Sequence, residues 1–224
     1  MSTATSSFSS FFASTIGRKI VMAVTGIILF GFVVAHMAGN LQLYLGPTVM
    51  NEYAVFLREI LHGSGLWIAR AVLLAAAVLH VWAAVSLTRL DLDARPVEYR
   101  TYRAQASTYP SRTMRWTGFF LLAFIAYHLL DLTLGTVNPG YEEGNVYGNV
   151  VRSFRVVPVS VFYLVAMVLL GMHLKHGTLS MLKTLGLSHP KHQEVASHVL
   201  TVVVALTIAA NMSFPLAVLF GVVR

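Results

Sequence analysis

Long apolar segments alternate with short polar ones along the chain. The apolar segments lie at about 20–38, 66–88, 116–135, 156–180 and 199–222. Each is long enough to cross a bilayer as a helix, which takes roughly 20 residues. None has the alternating apolar and polar positions of a barrel strand. The pattern predicts an all-α integral membrane protein, a single domain over residues 1–224 built as a bundle of five transmembrane helices.

The segment before the first apolar run, residues 1–17, is rich in serine and phenylalanine and opens with MSTATSSFSSFFAS. It lacks the basic region and cleavage site of a secretory signal peptide, so we expect no such peptide here. We interpret it as a flexible or interfacial lead-in to the first span.

Composition agrees with a membrane location and removes several kinds of chemistry. Of the 224 residues, 56% are hydrophobic and 11% are charged, whereas soluble domains usually carry about 25% charged residues. The chain has no cysteine. This excludes thiolate-bound iron–sulfur clusters, covalently attached c-type haem and disulfides within the chain.

The net charge of +7 comes from basic residues that cluster between the apolar segments, which is typical of membrane topology rather than of nucleic-acid binding. One side of the predicted bundle carries the larger set: Arg18, Lys19, Arg89, Arg95, Arg100, Arg103, Arg112, Arg115, Lys183 and Lys191. An excess of Lys and Arg marks the cytoplasmic side. We therefore expect a cytoplasmic N-terminus and a C-terminus on the outer side.

Each of the first four spans contains one histidine: His36, His80, His128 and His173. An ionisable side chain inside a span is costly and indicates a functional site. Neutral imidazole is a ligand for haem iron. Four imidazoles on four neighbouring helices suit two haem b groups, each held by two histidines.

The predicted orientation sorts these histidines by depth. His36 and His128 lie 17 and 13 residues beyond the nearest cytoplasmic basic residue, or roughly 20–25 Å deep. His80 and His173 lie nine and ten residues from theirs, or roughly 14–15 Å deep. We therefore predict an outer pair, His36 and His128, and an inner pair, His80 and His173.

Two alternatives accompany this interpretation. His176 lies three residues after His173 on a similar face and competes with it as the ligand; we prefer His173, which is one turn deeper. The histidines could instead form a proton relay in a haem-free transporter. Such relays normally include several buried carboxylates, and Asp131 alone lies clearly inside an apolar run.

With these histidines and their surroundings, the chain resembles the di-haem cytochrome b membrane anchor of bacterial succinate dehydrogenases and fumarate reductases, of the single-subunit, five-helix type. The resemblance extends from Ser14 to the end of the fifth span and rests on four segments around the four histidines: IGRKIVMAVTGIILFGFVVAHMAGNL, VLHVWAA, SRTMRWTGFFLLAFIAYHLLDL and GMHLKHGTLSMLKTLGL. It implies that His36 and His128 bind a distal haem b and that His80 and His173 bind a proximal one. In that family, the haem ligand on the fourth span is followed four residues later by a glycine. His173 and Gly177 have this spacing here.

The resemblance also implies further site residues. Arg115, Lys175 and His176 are candidates for contacts with a haem propionate or a quinone at the inner boundary. Glu59 is the best match for an acidic residue at a distal quinone site, with Glu52 as the weaker match and a solvated loop carboxylate as the alternative. The glutamate that some fumarate reductases use for proton transfer is replaced here by Gly171.

The implied function is that of an electron-carrying anchor in the bacterial cytoplasmic membrane. A partner flavoprotein with FAD would act on the dicarboxylate, a partner iron–sulfur protein would relay electrons, and a quinone, expected to be menaquinone, would exchange them with the haems. The complex could form a higher oligomer. A cytochrome b that serves formate dehydrogenase or hydrogenase is the alternative function, beside the haem-free transporter.

Overall fold

A computed structural model describes residues 9–94, 109–188 and 191–224, and for residues 109–112 it describes the backbone. The regular elements of these ranges are helical, without a strand. The α-helices are α1 (Thr15–Asn40), α2 (Pro47–Glu59), α3 (Ser64–Asp93), α4 (Tyr109–Leu132), α5 (Val146–Arg155), α6 (Val157–Thr184) and α7 (Gln193–Leu219). A 3-10 helix, Leu41–Leu45, joins α1 to α2. Five helices, α1, α3, α4, α6 and α7, are long and apolar enough to cross a membrane, which confirms the predicted fold class.

Helix ends differ from the predicted boundaries by a few residues, for local reasons. Helix α1 begins at Thr15 because the Ser14 hydroxyl caps it, accepting a hydrogen bond from the backbone N–H of Gly17 at 3.0 Å. Part of the predicted lead-in is therefore helical, as are residues 9–13. Helix α4 ends at Leu132, not near residue 135. The chain turns there, since Gly135 adopts a φ of +71°.

Four of the membrane helices form the corners of a square. Helix α1 packs against α3 and α6, and α6 also packs against α4. Within the described ranges, the pairs α1–α4, α3–α6 and α3–α4 are not closely packed. The corners in order are thus α3, α1, α6 and α4, and the diagonals run from α1 to α4 and from α3 to α6. Helix α7 packs outside this square, against α6 and α1.

Small residues allow the close approach of α1 and α3. Ala76 and Ala83 are buried on α3, and Ala83 has no exposed surface. They lie on the helical face of His80, three and four positions away. Small side chains at a helix contact are the usual means of packing helices in lipid.

The buried hydrophobic cluster lies at the end of the bundle where the short helices α2 and α5 cover the membrane helices. The buried cluster here combines Phe154 of α5 with Phe124 of α4, Tyr163 and Met167 of α6, and Phe214 of α7. Helix α5 is fixed by the Asn145 side chain, which accepts a hydrogen bond from the N–H of Gly148 at 2.9 Å. This end of the bundle is therefore held in place by packing as well as by caps.

Several predicted features lie outside the described residues. These are the first eight residues and the central part of the basic loop with Arg95, Arg100 and Arg103.

Candidate functional site: two imidazole pairs inside the bundle

The inner pair meets across one diagonal of the square. His80 on α3 and His173 on α6 have ring centres 6.4 Å apart, with an angle of 58° between the ring planes. Both side chains are half-buried. Because α3 and α6 are not in close contact through their backbones, the two imidazoles bridge a gap between their helices.

A Thr–Gly dipeptide on the neighbouring helix lies against each inner imidazole. Thr25 of α1 has its Oγ1 3.1 Å from His80 Nδ1, and Thr117 of α4 has its Oγ1 3.4 Å from His173 Nδ1. The glycine that follows each threonine leaves room for the ring. A Cβ at Gly26 would lie 3.6 Å from His80 Cε1, and a Cβ at Gly118 would lie 3.6 Å from Cε1 of the other ring.

The threonine hydroxyls determine which ring nitrogen carries the proton. The Thr25 hydroxyl donates to the carbonyl of Val21 at 2.7 Å, and the Thr117 hydroxyl donates to the carbonyl of Met114 at 3.0 Å. Each hydroxyl oxygen can then only accept from the histidine, so we assign the proton to Nδ1. The Nε2 lone pair of each ring is left free, as a metal ligand requires.

The outer pair meets across the other diagonal, nearer the end closed by α2 and α5. His36 on α1 and His128 on α4 have ring centres 5.9 Å apart and perpendicular ring planes. His36 stacks on Phe32, one turn earlier, at 5.3 Å. His36 is exposed and His128 is half-buried. An exposed imidazole within an apolar span needs a partner for its ring nitrogens.

A hydroxyl also contacts Nδ1 in this pair, and a carboxyl group lies behind it. Tyr163 OH on α6 is 3.3 Å from His128 Nδ1 and donates to Asp131 Oδ2 at 2.9 Å. The Ser153 hydroxyl of α5 donates to the same oxygen at 2.6 Å. Tyr163 therefore accepts from His128, so the Nδ1–H form is assigned here too.

The two pairs suit a flat metal-bearing cofactor better than a bare metal ion. Two imidazoles that bind one metal from opposite sides, at about 2.0 Å each, have ring centres about 6.3 Å apart. The observed 6.4 and 5.9 Å agree with that value. In the part of the chain that the structure describes, no group of three or more His, Cys, Asp or Glu side chains could hold a metal. Two ligands per site fit a cofactor that supplies the remaining ligands itself, as haem does.

The other residues predicted for the site have different surroundings. Arg115 forms an ion pair with Asp91 at 2.9 Å, which links α4 to α3 on the open side of the square. Lys175 is exposed, and His176 is half-buried near the same end. Glu59 is the last residue of α2 and is exposed, as is Glu52. Their roles at a propionate or a quinone stay predictions.

The hydroxyl partners of the imidazoles were not predicted. One signal for them is present in the sequence, since the dipeptide Thr–Gly occurs in the first span and again in the third. The apposition of these dipeptides to His80 and His173 depends on which helices are neighbours, and that information comes only from the packing. Asp131 stood out as a buried carboxylate, but its connection to His128 through Tyr163 did not.

The fold and the site together define a five-span membrane protein with two imidazole pairs placed along the axis of a helical square. Residues 94–211 match the family model of the succinate dehydrogenase/fumarate reductase transmembrane subunit. This stretch exceeds half of the chain and includes His128 and His173. The chain belongs to that family and is a transmembrane subunit of succinate dehydrogenase or fumarate reductase, as the sequence predicted. No curated protein and no solved structure matches the chain.

Proposed function

We propose that this subunit anchors a succinate:quinone oxidoreductase in the membrane and carries electrons between its iron–sulfur partner and a quinone through two haem b groups. The proposal is supported above all by the spacing of the two imidazole pairs across the diagonals of the bundle. Haem iron, when bound, would supply a one-electron carrier. The four histidines would hold it, His80 and His173 at the inner position and His36 and His128 at the outer one.

The protein's own part is to orient these ligands and to separate the two sites. Thr25 and Thr117 hold the inner imidazoles in the Nδ1–H form, and Tyr163 does the same for His128. The two diagonals direct the pairs toward the same central space at two depths. Two electron carriers at different depths would form a path along the membrane normal. One end of this path would lie toward the iron–sulfur partner, and the other end toward the quinone.

We place the N-terminus in the cytoplasm, on the basis of the Lys and Arg distribution. The inner pair then lies nearer the partner flavoprotein and iron–sulfur subunits, which would hold FAD and the clusters. The outer pair lies nearer the end closed by α2 and α5, where Glu59 is the proposed acidic residue of a quinone site. With menaquinone as the acceptor, outward electron transfer would be coupled to the membrane potential at about 2.3 kcal/mol per charge per 100 mV.

Arg115, Lys175 and His176 are proposed to contact a propionate or a quinone headgroup at the inner boundary. Arg115 is currently paired with Asp91 on the neighbouring helix. Its exposed position would allow the guanidinium to bind a second carboxylate as well, because arginine offers five N–H donors.

Purification in mild detergent tests the proposal. We expect a flavoprotein and an iron–sulfur protein to co-purify with the subunit, and a pyridine haemochrome assay to give two haem b per chain. A molybdenum or nickel–iron partner without a flavoprotein would instead indicate the formate dehydrogenase or hydrogenase class. A preparation without haem b absorption would favour the haem-free transporter.

The choice of ligand on α6 has its own test in a matched pair of variants. His173→Ala should lose one haem, because the ring centres of His173 and His80 lie 6.4 Å apart, close to the spacing of two imidazoles that bind one metal. His176→Ala, one turn nearer the end of the helix, should keep both. Two haems in His173→Ala, or one in His176→Ala, would reverse the assignment.

A further inference from the structure

A chain of polar groups connects one imidazole of the outer pair to a buried carboxyl group. It runs from Ser153 on α5 to Asp131 on α4, and from there through Tyr163 on α6 to His128 Nδ1. Its distances are 2.6, 2.9 and 3.3 Å. Asp131 is 1% exposed and Tyr163 is 5% exposed. We call these three groups, Ser153, Asp131 and Tyr163, the outer relay.

Burial of a carboxyl group at this depth is costly and calls for an explanation. Both hydroxyls donate to the same oxygen, Oδ2, which is the arrangement that stabilises an ionised carboxylate. Three helices supply the groups, and the aromatic rings of Phe124 and Phe154 pack against Tyr163 with centres 5.1 and 4.9 Å away. The relay is therefore fixed in position by the buried hydrophobic cluster.

The inner pair is built differently. There the hydroxyls of Thr25 and Thr117 donate to backbone carbonyls of their own helices. A threonine bonded to a neutral carbonyl is a weaker acceptor than a tyrosine bonded to a carboxylate, because a charge-assisted hydrogen bond polarises the next one in a chain. The two pairs thus differ in the electron density that their surroundings give to the imidazoles.

We propose that the outer relay is an electronic tuning device for His128. It positions the ring and gives it partial imidazolate character, which stabilises oxidised iron at the outer pair and lowers the reduction potential there relative to the same site without the carboxylate. Outer-shell partners of ligating histidines raise ligand basicity in this way. Asp131 and Tyr163 are positioning residues in this role. The inference rests on the proposed function, since it requires haem at the outer pair.

The test is a redox titration of the purified complex, monitored by haem b absorption, for the wild type and three variants. Asp131→Asn keeps the shape of the side chain and removes its charge. It should shift the oxidation–reduction equilibrium of the outer haem toward the reduced form by about tenfold, equivalent to about 59 mV for one electron. Tyr163→Phe keeps the ring in the aromatic cluster and should shift it in the same direction by less, because Asp131 remains. In both variants the inner haem should move less than the outer one.

Tyr127→Phe is the matched control. Tyr127 precedes His128 in the chain, and its ring centre lies 6.2 Å from that of Tyr163, but Tyr127 is not a member of the outer relay. The variant removes the Tyr127 hydroxyl. It should leave both potentials unchanged. Unchanged outer potentials in Asp131→Asn and Tyr163→Phe, or equal shifts of both haems, would overturn the proposal while leaving the proposed function intact. Absence of haem b from the wild-type complex would overturn the proposed function itself.

Discussion

Individual hydroxyl groups define the chemistry of the imidazoles. In three of the four histidines a hydroxyl from a neighbouring helix contacts Nδ1, at 3.1 to 3.4 Å. Each of these hydroxyls donates its own proton elsewhere. The result is the same tautomer at each site, with Nε2 available as a ligand. A protein that used these histidines to carry protons would gain little from partners that fix one tautomer.

Thr25 offers the sharpest test of this role. Thr25→Val keeps the shape of the side chain and removes the acceptor for His80 Nδ1–H, so the ring is no longer held in one orientation. We expect a loss of about 10–100-fold in haem affinity at the inner pair, the usual effect of removing such a partner. Transfer of haem to an excess of an apo-globin measures it.

Thr25→Ser is the control, since it restores the hydroxyl without the methyl group and should bind haem like the wild type. If Thr25→Ser loses as much haem as Thr25→Val, although it keeps the hydroxyl, the hydrogen bond to His80 is not what holds the haem, and the proposed role of Thr25 is contradicted.

At the scale of the elements, each histidine pair spans a diagonal while the edges of the square carry the close helix contacts. Alanines on α3 and glycines on α1 and α4 set how near the imidazoles approach their neighbours. The short helix α5 then fixes the end of the bundle nearest the outer pair. Its position matters because Ser153, on this helix, is the first member of the outer relay.

The cap of α5 is predicted to depend on pH. The hydrogen bond from Asn145 and the charge of Arg152 lower the pKa of Glu142 below its usual 4.5. The Asn145 side chain that donates to this carboxylate at 2.6 Å also caps the helix. A lowered pKa means that stabilisation is complete above 4.5 and is lost as the pH falls through the pKa of the folded state.

Hydrogen exchange of the α5 amides, at pH values above and below 4.5 and corrected for intrinsic rates, measures this effect. Protection should fall on the acid side in the wild type and should be low and constant in Glu142→Gln. Glu143→Gln, at the adjacent position, should behave like the wild type. The same acid response in Glu142→Gln as in the wild type would contradict the role of this carboxylate.

At the scale of the whole molecule, the apolar pattern predicted the fold because the bilayer sets the length of each span. Five predicted spans correspond to five helices, with ends moved by local signals such as the Ser14 cap and the turn at Gly135. The histidines were visible for the same reason, since polar residues are conspicuous in apolar segments. Depth along the membrane then suggested which of them share a site.

Lateral order in the bundle could not be derived in this way. Nothing in the spacing of residues within one helix states that α1 lies beside α3 and α6, or that α4 lies diagonally opposite α1. Thr25, Thr117 and Tyr163 acquire their roles only from those neighbours. The helices α2 and α5 were also missed, because short interfacial helices lack the long apolar run that identifies a span.

The central claim is that the four histidines form two sites, each made by the two ends of one diagonal. A redox titration of the purified complex, with haem b absorption recorded for four alanine variants, tests it most directly. We expect two one-electron waves in the wild type, the same wave missing from His36→Ala and His128→Ala, and the other wave missing from His80→Ala and His173→Ala. Loss of the same wave from His36→Ala and His80→Ala would contradict the pairing across the diagonals.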